Sequence, residues 1–113
     1  MRRGQQSFNT DSLESFQFGD AMVDTKQFRM TGKNQNINLS EREILLLQYF
    51  YSHPNEVLSR DQLLNAVWGI DYYGTTRTLD QHIAQLRKKI EKDPSNPSLI
   101  KTVHRIGYRY ECE

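Results

Sequence analysis

Between Leu13 and Leu39 the apolar residues fall two apart: Phe16 and Phe18, Ala21 and Val23, Phe28 and Met30, Ile37 and Leu39. A period of two predicts strands with one buried face. Turn formers separate the pairs, namely Gly19-Asp20, Asp24-Thr25 and Gly32-Lys33-Asn34. The segment therefore reads as a four-stranded antiparallel meander. Residues 1–12 are polar and carry no such pattern, so they read as a linker or tail ahead of one domain over 13–113.

At Leu39 the pattern changes. Ser40-Glu41-Arg42-Glu43 is a capping box, with Leu39 and Ile44 as its hydrophobic staple. It predicts a helix to about Ser52, stopped by His53-Pro54-Asn55. Val57-Leu58 is a short strand at most. Ser59-Arg60-Asp61-Gln62 repeats the capping box, stapled by Leu58 and Leu63, and opens a second helix ending near Trp68-Gly69. A loop follows over Ile70–Thr75. Trp68 reads as an anchor of that loop to the core, whereas Tyr72 and Tyr73 are open between core and partner surface. A third helix is expected from Thr76 to about Lys92. Its apolar stripe is Leu79, Ile83, Leu86 and Ile90; at ~100° per residue Arg77, Gln81, Gln85, Lys88 and Lys92 lie opposite. Asp93-Pro94-Ser95-Asn96-Pro97 breaks it. Leu99–Val103 and Tyr108–Tyr110 then read as a hairpin turning at His104-Arg105-Ile106-Gly107, with Gly107 allowing a tight turn or bulge. The fold class is α+β. A short helix, a turn, a long helix and a hairpin follow in the order of a winged helix-turn-helix, behind an N-terminal four-stranded antiparallel sheet.

Composition narrows the classes. A chain of 113 residues suits one domain. The single cysteine, Cys112, excludes an intrachain disulfide framework and multi-cysteine metal sites and fits a cytoplasmic, reducing compartment. The densest apolar run, Ile44–Leu47, is far too short to span a membrane. Met1-Arg2-Arg3-Gly4-Gln5-Gln6 lacks the apolar segment of a secretory signal. His53, His82 and His104 have no metal-ligand spacing, the glycines form no phosphate loop, and Asp61, Asp71 and Asp80 form no carboxylate pair. No enzyme, cofactor or metal is expected.

The net charge of +1 hides an asymmetry: residues 1–40 carry +1, residues 41–75 carry −3 and residues 76–113 carry +3. The basic third coincides with the third helix and hairpin. Gln pairs bidentately with adenine N6/N7, and Arg with guanine or phosphate. Arg77, Gln81 and Gln85 supply such groups about 6 Å apart along the helix. On the helix alone, an ordinary solvated face explains them equally well. The hairpin, which adds Lys101, Arg105 and Arg109, tips the reading toward duplex DNA. About four to six phosphate contacts would give a slope of log affinity on log salt near −4 to −5. The competing class is a winged helix that binds an acidic protein and no DNA.

A longer pattern supports the first class. Leu39-Ser40-Glu41-Arg42-Glu43, Leu45-Leu46-Leu47, Val57–Leu63, Val67-Trp68-Gly69, Arg77–Ile83, Leu86–Ile90, Ile100–Val103 and Gly107-Tyr108 stand in the order and spacing of a known family. Over roughly Phe16 to Tyr110 the chain resembles the DNA-binding effector domain of OmpR/PhoB-type bacterial response regulators. The resemblance implies a last long helix in the major groove and a wing on the adjacent backbone or minor groove. It places Arg77, Gln81, His82, Gln85, Arg87 and Lys88 toward DNA, with Thr102 and His104 on the wing, where Arg105 joins them by its charge in the hairpin turn. Ser59 and Arg60 open the second helix, where phosphate can be met. The loop with Asp71, Tyr72 and Tyr73 matches a segment that contacts RNA polymerase in some relatives. The resemblance further implies a phosphoacceptor receiver domain, a linker such as residues 1–12, and homodimers on direct-repeat DNA. The linker-like start suits a piece of such a regulator. Two departures from the family stand out. Some relatives carry Arg where this chain has Ala84 and Gln85, and between its Thr-Val and Gly-Tyr pairs the wing often reads Arg-Gly where this chain has His104-Arg105-Ile106, with the charge one residue later.

Overall fold

Both capping boxes close as expected, and they set the helical frame. In the computed structural model, which describes residues 15–32, 35–69 and 76–111, α1 spans Glu41–Ser52, α2 spans Arg60–Trp68 and α3 spans Thr76–Ile90. The Ser40 hydroxyl accepts from the Glu43 amide at 3.2 Å, and the Glu43 carboxylate accepts from the Ser40 amide at 2.8 Å. Ser59 and Gln62 repeat the exchange at 3.0 and 3.4 Å. Each pair satisfies two amide donors that a helix start leaves without partners. The staple residues Leu39, Ile44, Leu58 and Leu63 are all buried.

Strands β1 (Ser15–Phe18), β2 (Ala21–Asp24), β3 (Arg29–Gly32) and β4 (Gln35–Asn38) form an antiparallel sheet in sequential order. Phe16 pairs with Val23, Val23 with Met30 and Met30 with Ile37, so these apolar residues share one face. Phe28 is the exception to the predicted pairing. It lies outside β3, is 45% exposed and has φ +54°. The Asp24 carboxylate accepts from the amides of Lys26 and Gln27 and winds the β2–β3 turn far enough to take in Phe28. The Phe28 carbonyl instead accepts from the Leu39 amide at 2.8 Å.

A second sheet has the order β5 (Leu58–Ser59), β7 (Gly107–Tyr110), β6 (Ile100–Val103). Phe18 stacks on Tyr110 at 4.1 Å and Phe16 lies 4.7 Å from Tyr51, so the first sheet is pinned to the second and to α1. One core joins Phe18, Leu46, Leu47, Phe50, Leu63, Leu79, Ile83, Leu86 and Ile100. Burying each such side chain contributes about 1.5–3 kcal/mol.

The third helix ends at Ile90, short of the expected Lys92. Glu91 is the reason. It is only 8% exposed, and its carboxylate accepts from the amides of Ser98, Leu99 and Ile100 at 2.8–3.1 Å. The chain therefore bends back to start β6 beside the helix end. Gly107 also has a different role from the expected turn. A Cβ there would run into the Leu58 carbonyl oxygen and lie 2.9 Å from Ser59 Cα. Close approach of β7 to β5 requires this glycine, and the left-handed turn position is held by Arg105 at φ +67°. The expected tail 1–12, the Lys33-Asn34 part of the turn, the loop Ile70–Thr75 and Cys112 lie outside the described residues. Among the described residues no helix is long and apolar enough to cross a membrane.

Candidate nucleic-acid interface

The faces of α3 separate as its periodicity predicts. Leu79, Ile83 and Leu86 are fully buried and Ile90 is half-buried. Arg77, Gln81, Ala84, Gln85 and Lys88 are exposed on the other side. His82 lies between the two. Its Nδ1 bonds the Thr78 carbonyl at 2.9 Å, and its ring meets the Trp68 edge at 4.9 Å. Trp68 packs against the core, under the Arg42 guanidinium at 5.3 Å, and Arg42 Nη1 donates to the Val67 carbonyl at 2.6 Å. The anchoring role read for Trp68 fits this packing.

A polar cluster joins the start of α2, the inner flank of α3 and the wing. Asp80 Oδ1 accepts from Arg60 Nε at 2.9 Å and from the Tyr108 hydroxyl at 2.6 Å. Tyr108 lies between two guanidinium groups, Arg60 at 5.7 Å and Arg87 at 5.3 Å from its ring. Arg87 Nε and Nη2 both donate to the Ile100 carbonyl, and Nη2 also donates to Thr102 Oγ1 at 2.9 Å. These charge-assisted bonds fix the wing against α3. Three predicted site residues, Arg60, Arg87 and Thr102, are thus engaged inside the protein. Sequence reasoning named them for DNA but missed Asp80 and Tyr108, their common partners. The available signal was the position of Asp80 at the edge of the α3 stripe.

Burial, and then the hydrogen bond to Asp80, pushes the Tyr108 phenol up to about 12. The hydrogen bond that Arg60 donates to Asp80 likewise raises Arg60 above the usual arginine value. In the unfolded chain a tyrosine ionises near 10. A raised folded value means that this stabilisation is complete below about pH 10 and is lost as pH rises towards about 12. Tyr108→Phe, which removes only the hydroxyl, is expected to lose about 1 kcal/mol at neutral pH. That is below the usual range for a bond to a charged group, because Asp80 is partly in water. Urea unfolding of both proteins across this pH range checks the assignment: the advantage of the unsubstituted protein should shrink as pH rises. An advantage that stays constant to pH 12 would refute it.

The basic third holds fewer available cations than its composition suggests. Lys89 donates to Glu43 Oε1 at 2.7 Å and to the Asn38 carbonyl at 2.9 Å. Lys101 and Arg109 both pair with Glu111, at 3.2 and 2.6 Å, and together hold that carboxylate below its usual range, Arg109 most. Lys92 stands 4.0 Å from Asp20, both well exposed. Among the described residues, Arg77, Lys88 and Arg105 are the cations of α3 and the wing without a hydrogen bond or ion pair. The expectation of four to six phosphate contacts is therefore lowered to about three per domain, and the expected salt slope to about −3.

His104, Arg105 and Ile106 form the exposed wing turn, and Ser59 caps α2 beneath it. The Arg60 amide donates to the Ile106 carbonyl at 3.3 Å, so α2 touches the wing directly. A non-glycine residue in the left-handed region is strained by roughly 1–2 kcal/mol. Arg105→Gly should accordingly raise stability by about 1 kcal/mol and flatten the salt slope by about 1. Thermal melts and salt titrations of the same preparation separate the two effects. A variant no more stable, with an unaltered slope, would contradict both. Asp71, Tyr72 and Tyr73 lie outside the described residues.

Comparison with known proteins agrees with this geometry. The family described as transcriptional regulatory protein, C terminal, matches residues 34–110. A probable transcriptional regulatory protein of Picosynechococcus is 42% identical over 97% of this chain and 44% of its own length. The DNA-binding domain of Klebsiella pneumoniae RstA, solved in complex with the RstA box, superposes with a TM-score of 0.73 at 30% identity, covering 87% of this chain and 97% of that one. DrrB of Thermotoga maritima, a response regulator and OmpR/PhoB homologue, gives 0.76 at 26% identity over 96% of this chain and 56% of that one. The chain spans 33–46% of the length of three of the curated relatives it matches.

Proposed function

This chain belongs to the family of transcriptional regulatory protein C-terminal domains, of the OmpR/PhoB response-regulator type, and on that premise we propose how it holds DNA. It acts as a sequence-specific reader of double-stranded DNA in transcription regulation. The α3 helix enters the major groove. Gln81 and Gln85 read bases there, while Arg77 and Lys88 meet phosphates on either side. Arg105 and His104 at the wing turn, with Thr102 behind them, lie along the adjacent backbone or minor groove. His82 and the start of α2 at Ser59 and Arg60 approach phosphate from the other side. Arg60 and Arg87 act chiefly by holding the wing, because their guanidinium groups are engaged at Asp80 and Ile100.

The observation that carries this reading is the exposed polar strip Arg77–Lys88 beside a wing tied to the same helix. About three phosphate contacts make a weak non-specific hold, so two copies on direct-repeat half-sites supply useful affinity. Within the longer protein a receiver domain controls that pairing. The segment with Asp71, Tyr72 and Tyr73 meets RNA polymerase, and the protein works in the cytoplasm.

Selection from a random duplex library tests the reading. Enrichment of a motif with two repeated half-sites is the expected result. No enrichment, with capture of an acidic protein by the Arg77–Lys88 face instead, would favour a protein-interaction module.

A further inference from the structure

The order of side chains along the exposed strip of α3 carries information about the DNA it reads. This inference rests on the DNA-binding reading above. Arg77, Gln81, Ala84, Gln85 and Lys88 lie within about 100° of one another around the helix and are all exposed. The two cations stand at the ends, about 16 Å apart along the axis, which exceeds the ~12 Å width of the major groove. Phosphate walls therefore fall under Arg77 and Lys88, and base edges fall under the middle. The middle holds two amides and one methyl group, with no charge.

Among the described residues no guanidinium stands within that middle, Arg77 lying at the end of the strip. Arg87, the nearest in sequence, turns to the Ile100 carbonyl and Thr102 Oγ1. Guanine O6 and N7 are best met by Arg or Lys, and adenine N6 and N7 by Gln; a small methyl side chain suits the thymine C5-methyl. Gln81 and Gln85 make no hydrogen bond to any described residue, so their amides are available in full. We infer that the base pairs beneath the middle of α3 are A·T in each half-site, with adenines facing Gln81 and Gln85 and a thymine methyl facing Ala84.

Modified duplexes test this without altering the protein. The duplex recovered from random selection is resynthesised with 7-deaza-adenine at the middle adenines, which removes N7. A second version carries deoxyuridine at the middle thymines, which removes the methyl. Each 7-deaza substitution should weaken binding about fivefold or more. Deoxyuridine should weaken it about threefold to fivefold at one position. A gain-of-function variant complements them. Ala84→Arg, exposed and compatible with a helix, should move the selected base at its position from thymine to guanine. A selected motif with G·C at the middle pairs would overturn the inference while leaving DNA binding intact. So would modified duplexes bound as tightly as the parent. Failure to select or bind any duplex would remove the DNA reading itself.

Discussion

Gly107→Ala is expected to destabilise the domain by about 3 kcal/mol or more, lowering Tm by roughly 10–15 °C. The added methyl would run into the Leu58 carbonyl oxygen and lie 3.0 Å from the Leu58 carbonyl carbon and 2.9 Å from Ser59 Cα. These are backbone atoms, so no rotamer change can clear the space. Relief requires β5 and β7 to part, and their register joins Ser59 to Gly107 and Leu58 to Tyr108. Parting them would withdraw Tyr108 from Asp80 and shift the wing from α3. The substitution should therefore reduce DNA affinity even at temperatures where the domain remains folded. Thermal melts by circular dichroism, with binding measured well below the midpoint, check both effects. A Tm within about 3 °C of the unsubstituted protein would mean that the strands are not so closely opposed.

Glu91→Ala carries the second large effect, about 3 kcal/mol. The carboxylate is buried and accepts from three consecutive amides, those of Ser98, Leu99 and Ile100. Each charge-assisted bond is worth about 1.5–3 kcal/mol, and the three act as one unit, so they do not add. Removing the acceptor leaves backbone donors without a partner, the Ile100 amide in a buried place. Glu91→Gln should be nearly as damaging, because its amide group turns donors toward donors. Hydrogen exchange should show the loss locally, at the amides of Ser98, Leu99 and Ile100. Unchanged protection at those three amides in Glu91→Ala would show that the carboxylate is not their partner in solution.

The strands and helices were legible because their signals are local. Phe16 and Phe18 alternate within one strand, and Ser40 and Glu43 sit three apart across one helix start; neither needs a distant partner to be recognised. Phe28 kept the alternation but lost its place in β3, because the Asp24 carboxylate lengthened the preceding turn. Of the candidate interface, the outward strip of α3 was legible for the same reason of period. The engagement of Arg60, Arg87, Lys89 and Lys101 was not. Their partners lie up to 46 positions away or, like the Ile100 and Asn38 carbonyls, are backbone atoms that no side-chain pattern marks. Gly107 reads as a turn glycine because it stands at the turn; its need arises from Leu58, a residue far off in sequence and adjacent only through the β5–β7 pairing.

The structure thereby alters what the charge implies. By composition alone, a C-terminal third with eight cations offers a broad phosphate grip. Five of these cations instead meet carboxylates or carbonyls of the protein itself. What remains is a small set, Arg77, Lys88 and Arg105, with the uncharged residues Gln81, Ala84 and Gln85 exposed between the first two.

Salt dependence tests that arrangement most directly. Affinity of one domain for a selected half-site duplex, measured from about 50 to 200 mM salt, should give a log–log slope near −3. A slope near zero would contradict phosphate-anchored DNA binding, and one near −6 would contradict the internal engagement of the other cations.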